Sequence, residues 1–269
     1  MININLPNTK NLVLELRDSW LTIWFNRPEK RNALSDDLID EVKLTLSSIE
    51  QDSSIRGIIF RGKGGIFCAG ADLKNIKEIT ASENKSHSLA FKTSKKIGSL
   101  FEQISKTPQI TVSVVEGAAL AGAFGIACTS DFVISMSDSK YALTETRLGL
   151  TPAQIAPYVL KRLGFSQGKK LLLLGTMFNG QEGFEIGMVD YLAHNDKDIN
   201  KYIINIKNNV NKCAPHAISL TKRVIAAGEE INLDKAAELF SKSINSNEGR
   251  DGLASFFEKR KPFWNNNNK

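Results

Sequence analysis

Two short runs of small residues, each directly after an apolar strand, constrain the fold of this chain most. The first is Phe67-Cys68-Ala69-Gly70-Ala71-Asp72-Leu73, and the second is Gly117-Ala118-Ala119-Leu120-Ala121-Gly122. Each predicts a tight turn that opens a helix, where the first backbone amides lack helical partners and the helix dipole adds positive character. One amide from each turn, aimed at a common point, would stabilise a carbonyl oxygen as it gains negative charge. The runs therefore predict an oxyanion pocket.

The length and charge of the chain limit the classes of protein to consider. Its 269 residues, 42% of them apolar, can bury a large core in one domain or two. The 35 basic and 29 acidic residues give a net charge of +6. That excess suits a phosphate-rich ligand, a nucleic acid or simply a lysine-rich surface in water. Because no basic patch with interleaved aromatic residues is visible, we expect no nucleic-acid partner.

The cysteines and the N-terminus indicate the cellular setting. Cys68, Cys128 and Cys213 are widely separated, and neither they nor the isolated histidines have metal-ligand or disulfide spacing. Met1 to Lys10 contains no basic segment followed by an apolar run, so no secretory signal is expected. The longest uncharged stretch near the middle, between Glu116 and Asp131, is too short to cross a bilayer. We expect a cytoplasmic protein without a metal site or a membrane span.

Apolar strands alternate with helices over the first part of the chain. Strands are predicted at 12–16, 20–25, 57–60, 110–115 and 132–136, and helices after Ser35, over 89–104 and over 122–128. A polar loop or frayed helix is expected between Asn75 and Lys85. From Ala153 the chain is predicted to be mainly helical, with apolar stripes over 199–210, 215–227 and 233–244.

Five strings in this chain resemble the crotonase (enoyl-CoA hydratase/isomerase) superfamily and follow the order found there. They lie at 26–34, 67–73, 116–131, 144–152 and 256–263, and their residues are most similar to those of branched glutaconyl-CoA-type hydratases. The resemblance implies an α/β fold: a crotonase-like spiral of repeated ββα units over residues 1–198, which carries the acyl-CoA site. Residues 199–269 would form a C-terminal helical region that mediates trimerisation and contributes to the CoA site.

The same resemblance implies the chemistry and the assembly. The substrate would be an acyl-CoA thioester, with no separate cofactor because coenzyme A is part of the substrate. The protein would be a homotrimer or a dimer of trimers. By alignment of the strings, the amides of Ala71 and Gly122 are the oxyanion donors and Glu145 is the acid/base. The competing interpretation of the two turns is that their small residues only allow a helix to approach a strand closely.

Glu145 has two interpretations. In an apolar pocket its pKa would rise toward neutrality, which suits proton exchange with a carbon acid. Alternatively it is a surface carboxylate paired with Arg147. The neighbouring Leu143, Leu148 and Leu150 favour a partly buried site.

One departure from the family pattern leaves the reaction open. Two-glutamate hydratases carry a second glutamate three residues after the donor glycine, where this chain has Gly125. Hydration is possible if Glu145 both activates the water and returns its proton, and Gln154 could hold the water. A Δ3,Δ2-enoyl-CoA isomerase would need Glu145 alone as its proton shuttle. We favour the hydratase by a small margin.

The resemblance also implies which residues contact the CoA ester. They are Arg27, Arg31, Ala33, Ala69, Gly70, Asp72, Leu73, Lys259 and Phe263. Gln154 is added from its side-chain chemistry alone, and an ordinary hydrogen bond at a helix start is its alternative role. For the Lys and Arg residues other than Arg27, a solvated surface position is the competing interpretation.

Other classes of protein fit poorly. The Gly62-Lys63-Gly64-Gly65 loop lacks the spacing and the Lys-Ser/Thr pair of a P-loop. No G-x-S-x-G elbow is evident, and Cys68 has no histidine nearby in sequence, which disfavours a hydrolase. A non-catalytic or RNA-binding protein on the crotonase fold is the distant alternative.

Overall fold

The computed structural model describes residues 5–72 and 86–265. Its strands are β1 (Leu12–Arg17), β2 (Trp20–Phe25), β3 (Gly57–Gly62), β4 (Ile110–Val115), β5 (Ala118–Leu120), β6 (Phe132–Met136), β7 (Lys140–Ala142), β8 (Met177–Asn179) and β9 (Tyr191–Ala193). Six of them form one sheet in the order β1-β2-β3-β4-β6-β9. β1 and β2 are antiparallel and the later neighbours are parallel. Consecutive strands separated by helices account for this parallel arrangement.

The helices pack on both faces of this sheet. They are α1 (Asp36–Ile49), α2 (Ser86–Lys106), α3 (Gly122–Thr129), α4 (Ala156–Leu174), α5 (Gly180–Glu185), α6 (Asp196–Asn211), α7 (Pro215–Ala227), α8 (Leu233–Asn245) and α9 (Asn247–Phe257). Short 3₁₀ turns occupy Pro28–Lys30, Lys63–Gly65, Glu145–Leu148, Gly228–Glu230 and Phe263–Asn265. The Ser35 hydroxyl accepts a hydrogen bond from the Leu38 amide, which confirms the predicted cap of α1.

Burial on both sides explains the continuous apolar strands. In β3, Ile58 and Phe60 face the main core, whereas Ile59 faces a second cluster on the opposite side. Ile199 and Ile206 of α6 belong to that second cluster. Alternate residues of a parallel strand therefore need apolar partners on both faces. The predicted domain boundary after residue 198 falls inside α6, which itself packs against the main sheet.

A small second sheet lies next to the two glycine turns. Its order is β5-β7-β8, with β5 parallel to β7 and β7 antiparallel to β8. An isolated parallel bridge between Cys68 and Ala119 of β5 connects it to the first turn, and a second bridge between Leu34 and Ala71 joins that turn to the segment before α1. Strands β5, β7, β8 and β9 were missed by sequence reasoning, because strands of three residues carry too few positions to show a period.

The C-terminal helices are attached to the core by a polar contact. Lys222 of α7 donates from Nζ to the Gln109 carbonyl at 2.8 Å and pairs with the Asp131 carboxylate. Asp131 also accepts from the backbone amide of Thr111 at 2.8 Å. The contact joins α7 to the region between α2 and β6. Among the helices of the described ranges, none has the length and apolar character needed to cross a bilayer.

Candidate active site

The first turn presents the Ala71 amide away from its neighbouring strand. The Leu34 amide donates to the Gly70 carbonyl at 2.8 Å, and the Asp72 amide donates to the Leu34 carbonyl at 3.2 Å. In a parallel bridge the amide of the intervening residue points to the other side. Within the described residues no backbone or side-chain acceptor bonds the Ala71 N–H group.

The second turn opens α3 with a strained residue. Ala121 has φ 47° and ψ −118°, a conformation that favours glycine, and its amide donates to the Ala142 carbonyl at 2.9 Å. Gly122 follows as the first residue of α3, so its N–H group precedes the helical hydrogen-bond ladder. In the part of the chain that the structure describes, this amide has no protein acceptor.

The two turns lie in direct contact. A Cβ atom on Gly70 would stand 2.8 Å from the Leu120 carbonyl oxygen and 3.2 Å from Cβ of Ala121. Gly70 itself has φ +94°, which a residue with a side chain adopts only under strain. The bridge between Cys68 and Ala119 fixes the same approach two residues earlier. Small residues are therefore required where the two turns meet, directly before Ala71 in one turn and Gly122 in the other.

Asn32 organises the loop before the first turn, and sequence reasoning did not single it out. It is fully buried with φ 55°, a conformation that asparagine tolerates. Its Nδ2 donates to the carbonyls of Lys63 at 2.9 Å and Ile66 at 2.6 Å, and its Oδ1 accepts from the Arg27 amide at 2.9 Å. The sequence did contain one indication of this role, because Asn32 stands where a polar loop meets an apolar segment.

Arg27 holds the same loop to the turn. Its Nη1 donates to the Ala33 carbonyl at 2.7 Å, and its Nη2 pairs with the Asp72 carboxylate at 3.0 Å. The Arg31 carbonyl accepts from the Ala69 amide at 3.0 Å. The structure thus brings together the residues that the sequence assigned to the CoA loop and to the first turn.

We expect Asn32→Ala to destabilise the fold by about 2–4 kcal/mol, because it leaves buried donors and acceptors unpaired and places alanine at a positive φ. Denaturant unfolding measures the change in the free energy of unfolding. Asn245→Ala is the matched control, since exposed Asn245, as far as the described residues go, bonds within its own helix to Ser241. Equal losses in the two variants would contradict the scaffold role of Asn32.

Glu145 opens the 3₁₀ turn Glu145–Leu148, three residues after the Ala142 carbonyl that binds Ala121. Its side chain is half-buried, and its Oε2 is enclosed with no hydrogen-bond partner among the described residues. Burial raises the pKa of the Glu145 carboxyl above its ordinary value. A carboxylate whose oxygen is buried without a donor is suited to take up a proton.

The surroundings of Glu145 differ from the sequence expectation. The predicted partly buried position of Glu145 is confirmed, but of the three leucines that favoured it Leu143 alone is buried, whereas Leu148 and Leu150 are 71% and 53% exposed. Arg147 donates instead to the Leu174 carbonyl at 3.3 Å, and no ion pair joins it to Glu145 within the described ranges.

The other candidate residues lie in several places. Gln154 is exposed, lies against Gly98 of α2 and donates to the Ser94 hydroxyl at 3.1 Å. Lys259 and Phe263 are exposed after α9, where the Phe263 amide donates to Asp251. No hydrogen bond of the described residues connects them to the loop at 27–33. Leu73 and the segment Asn75 to Lys85 lie outside the described residues.

The thiol of Cys68 is not an alternative nucleophile. It is fully buried and accepts weakly from the Gly70 amide at 3.4 Å. Burial raises the pKa of this thiol to about 12, so it stays protonated near neutral pH. Cys68 therefore packs beneath the first turn.

Comparison with known proteins identifies the family. The family model described as enoyl-CoA hydratase/isomerase matches residues 15–267. A short-chain-enoyl-CoA hydratase of Clostridium acetobutylicum is 28% identical over 93% of this chain and 96% of that protein. Pseudomonas aeruginosa AtuE superposes with a TM-score of 0.89 and 36% identity over 95% of this chain and 100% of that one. An enoyl-CoA hydratase/isomerase from Marinobacter aquaeolei has a TM-score of 0.89 and 34% identity over 95% and 99%.

The chain belongs to the enoyl-CoA hydratase/isomerase family and is an enzyme of that class. This confirms the superfamily and the crotonase-like α/β fold expected from the five strings. The finer likeness to branched glutaconyl-CoA-type hydratases stays a prediction.

Proposed function

We propose that this enzyme hydrates a 2-enoyl-CoA thioester, with Glu145 as its acid/base and the amides of Ala71 and Gly122 as its oxyanion donors. The observation that carries the proposal is the enclosed Glu145 Oε2, which has no hydrogen-bond partner in the described part of the chain. The contact between the two small-residue turns supports the placement of the donors. Relatives named as enoyl-CoA hydratases and as a crotonyl-CoA hydratase support the reaction.

The proposed mechanism needs one carboxylate. Ionised Glu145 takes a proton from water while the water oxygen forms a bond to C3 of the enoyl group. The C2–C3 π electrons move toward the thioester, whose carbonyl oxygen gains negative charge beside the amides of Ala71 and Gly122. The enolate then takes the proton from Glu145 at C2. The sum is one water added across the double bond, with Glu145 returned to its carboxylate form.

Product analysis tests this proposal. A 2-enoyl-CoA incubated with the enzyme should yield a 3-hydroxyacyl-CoA, detected by mass as the addition of one water. A panel of straight and branched acyl chains identifies the substrate. Failure of every 2-enoyl-CoA to react would reject hydration.

Isomerisation is the second candidate, and Gly125 favours it. This position carries no second carboxylate, and a proton shift between two carbons needs only one acid/base, whereas hydration with one group requires Glu145 both to activate the water and to return its proton. A 3-enoyl-CoA supplied alone separates the two reactions: conversion to a 2-enoyl-CoA without a 3-hydroxyacyl product would favour the isomerase.

We also propose the contacts to coenzyme A. Arg27 is already bound to Ala33 and Asp72, so it positions the loop, whereas exposed Arg31 is free to approach a phosphate from the same loop. Ala69, Gly70 and Asp72 would flank the pantetheine beside the first turn. Lys259 and Phe263 would contribute after assembly, since they extend from the C-terminal helices. A cytoplasmic location remains part of the proposal.

We expect the enzyme to assemble as a homotrimer or a dimer of trimers. Large apolar side chains stay exposed beside Glu145, along α4 and in the C-terminal helices; they include Leu148, Leu150, Phe165, Leu173, Leu174, Leu233, Phe240, Phe256 and Phe257. Apolar exposure on this scale is typical of surfaces that other chains cover. Light scattering should give three or six times the chain mass of 29.7 kDa. A monomer at micromolar concentration would contradict the expectation.

A further inference from the structure

The position that lacks a second glutamate is filled from another helix. A Cβ atom on Gly125 would lie 2.4 Å from Cζ of Phe101, 2.7 Å from Cε1 and 2.9 Å from Cε2. Real Cβ atoms do not approach other carbon atoms so closely, because contacts between non-bonded carbons are optimal at about 3.5–4.0 Å. The space that a side chain at residue 125 would enter is therefore occupied by the Phe101 ring.

This contact belongs to the crossing of α2 over the start of α3. A Cβ atom on Gly122 would lie 3.0 Å from Cδ1 of Ile97, so Ile97 covers the donor glycine. Phe101 lies one helical turn after Ile97, and Gly125 lies about one turn after Gly122. The same face of α2 thus lies along the glycine face of α3, and Phe101 is the next side chain beyond the proposed oxyanion donor.

The Phe101 ring is held in place from both sides. It is 1% exposed, and it packs edge-on against Tyr158 of α4 with 6.0 Å between ring centroids. On its other side the ring packs directly against Gly125, with no space between the ring and the backbone of α3. Turning the ring away would require Tyr158 or the backbone of α3 to move, because close-packed interiors transmit such displacements.

We propose that Phe101 is a specificity-determining residue of this enzyme: its ring excludes a second carboxylate at position 125 of α3 and leaves Glu145 without that partner in proton transfer. The inference rests on the proposed function. An apolar ring can neither hold the attacking water nor supply a second proton. Without a carboxylate at this position the proposed mechanism takes and returns the proton through Glu145, which allows water addition and the shift of a double bond to compete on the same enolate.

The test removes the Phe101 ring and places a carboxylate at position 125. In Phe101→Ala/Gly125→Glu the truncated ring makes room for a glutamate, and Phe101→Ala/Gly125→Gln is the uncharged control of equal shape. We expect the glutamate variant to raise the ratio of hydration to isomerisation by about tenfold or more over the glutamine variant. Its pH profile of kcat/KM should gain a second ionisation that the glutamine variant and the wild type lack.

A second variant keeps the proposal testable if the double variants fail to fold. Phe101→Ala alone opens a space that formate or acetate can enter from solution. Either anion should raise hydration by Phe101→Ala in a concentration-dependent manner and leave the wild type unchanged. Absence of this rescue, where the double variants do not fold, would overturn the proposal.

The outcomes separate this inference from the proposed function. If the wild type turns over no enoyl-CoA, the proposed function fails and this inference fails with it. If the wild type is active and the folded glutamate and glutamine variants share one pH profile and one product ratio, only the role of Phe101 is overturned.

Discussion

Replacing Glu145 by glutamine should lower kcat/KM for enoyl-CoA hydration by about 10²–10⁴-fold, the range typical of general acid–base catalysis. The amide keeps the shape of the side chain but cannot accept and return a proton. Affinity for a non-reacting acyl-CoA should change little, because the contacts to coenzyme A lie on other residues. Steady-state kinetics and equilibrium binding measure the two effects.

A surface carboxylate provides the control for this variant. Glu185 lies exposed at the end of α5, and Glu185→Gln should retain wild-type turnover. Equal activity in Glu145→Gln and Glu185→Gln would remove Glu145 from the mechanism.

The raised pKa of Glu145 also predicts two pH dependences. Because the carboxylate form accepts the proton from water, kcat/KM should fall as the pH drops through a pKa above that of an ordinary glutamate. The free energy of unfolding depends on pH in the opposite direction, because it decreases as the pH rises through this pKa. The folded state binds this proton more tightly than the unfolded state, so ionised Glu145 destabilises the fold at neutral pH. Glu145→Gln should therefore be more stable than the wild type near neutral pH, and this gain should disappear in acid.

Removing the Ala71 amide hydrogen should lower kcat by about 10²–10³-fold, as the loss of one oxyanion donor does in other enzymes. Replacing Ala71 with lactic acid turns the amide into an ester and deletes the donor while keeping the methyl group. No protein acceptor among the described residues uses this N–H group, so the cost in stability is limited to a weaker hydrogen bond from the Leu34 amide to the ester carbonyl of Gly70. Single-turnover kinetics with a 2-enoyl-CoA measures the chemical step.

The same ester exchange at Ala153 serves as its control. Ala153 is exposed in the turn before α4, so its ester should leave the rate unchanged. A full rate for the ester at Ala71 would show that its amide does not contact the reacting oxygen, and the oxyanion assignment would fail.

Sequence was sufficient where a local pattern determines the structure. The hairpin of β1 and β2, the capped start of α1 and the helices over α6 to α8 follow from alternation, a serine cap and apolar stripes within short windows. The two turns were found because glycine and alanine mark close backbone approach in each of them.

Sequence was insufficient where contacts join distant segments. The role of Asn32 depends on the carbonyls of Lys63 and Ile66, and the role of Phe101 depends on Gly125; neither partner can be inferred from spacing. The exposure of Leu148 could not be foreseen for another reason. An apolar residue looks the same in sequence whether it faces the core or the surface.

The conformation of Ala121 has a consequence for heat tolerance. A residue with a side chain at such a φ costs of order 1–3 kcal/mol, and it persists only because neighbouring contacts, including the bond to the Ala142 carbonyl, hold it. On warming, the first turn of α3 should lose its conformation before the rest of the chain unfolds. Activity would then be lost at a temperature below the melting temperature of the chain. The variant Ala121→Gly should bring these two temperatures closer together.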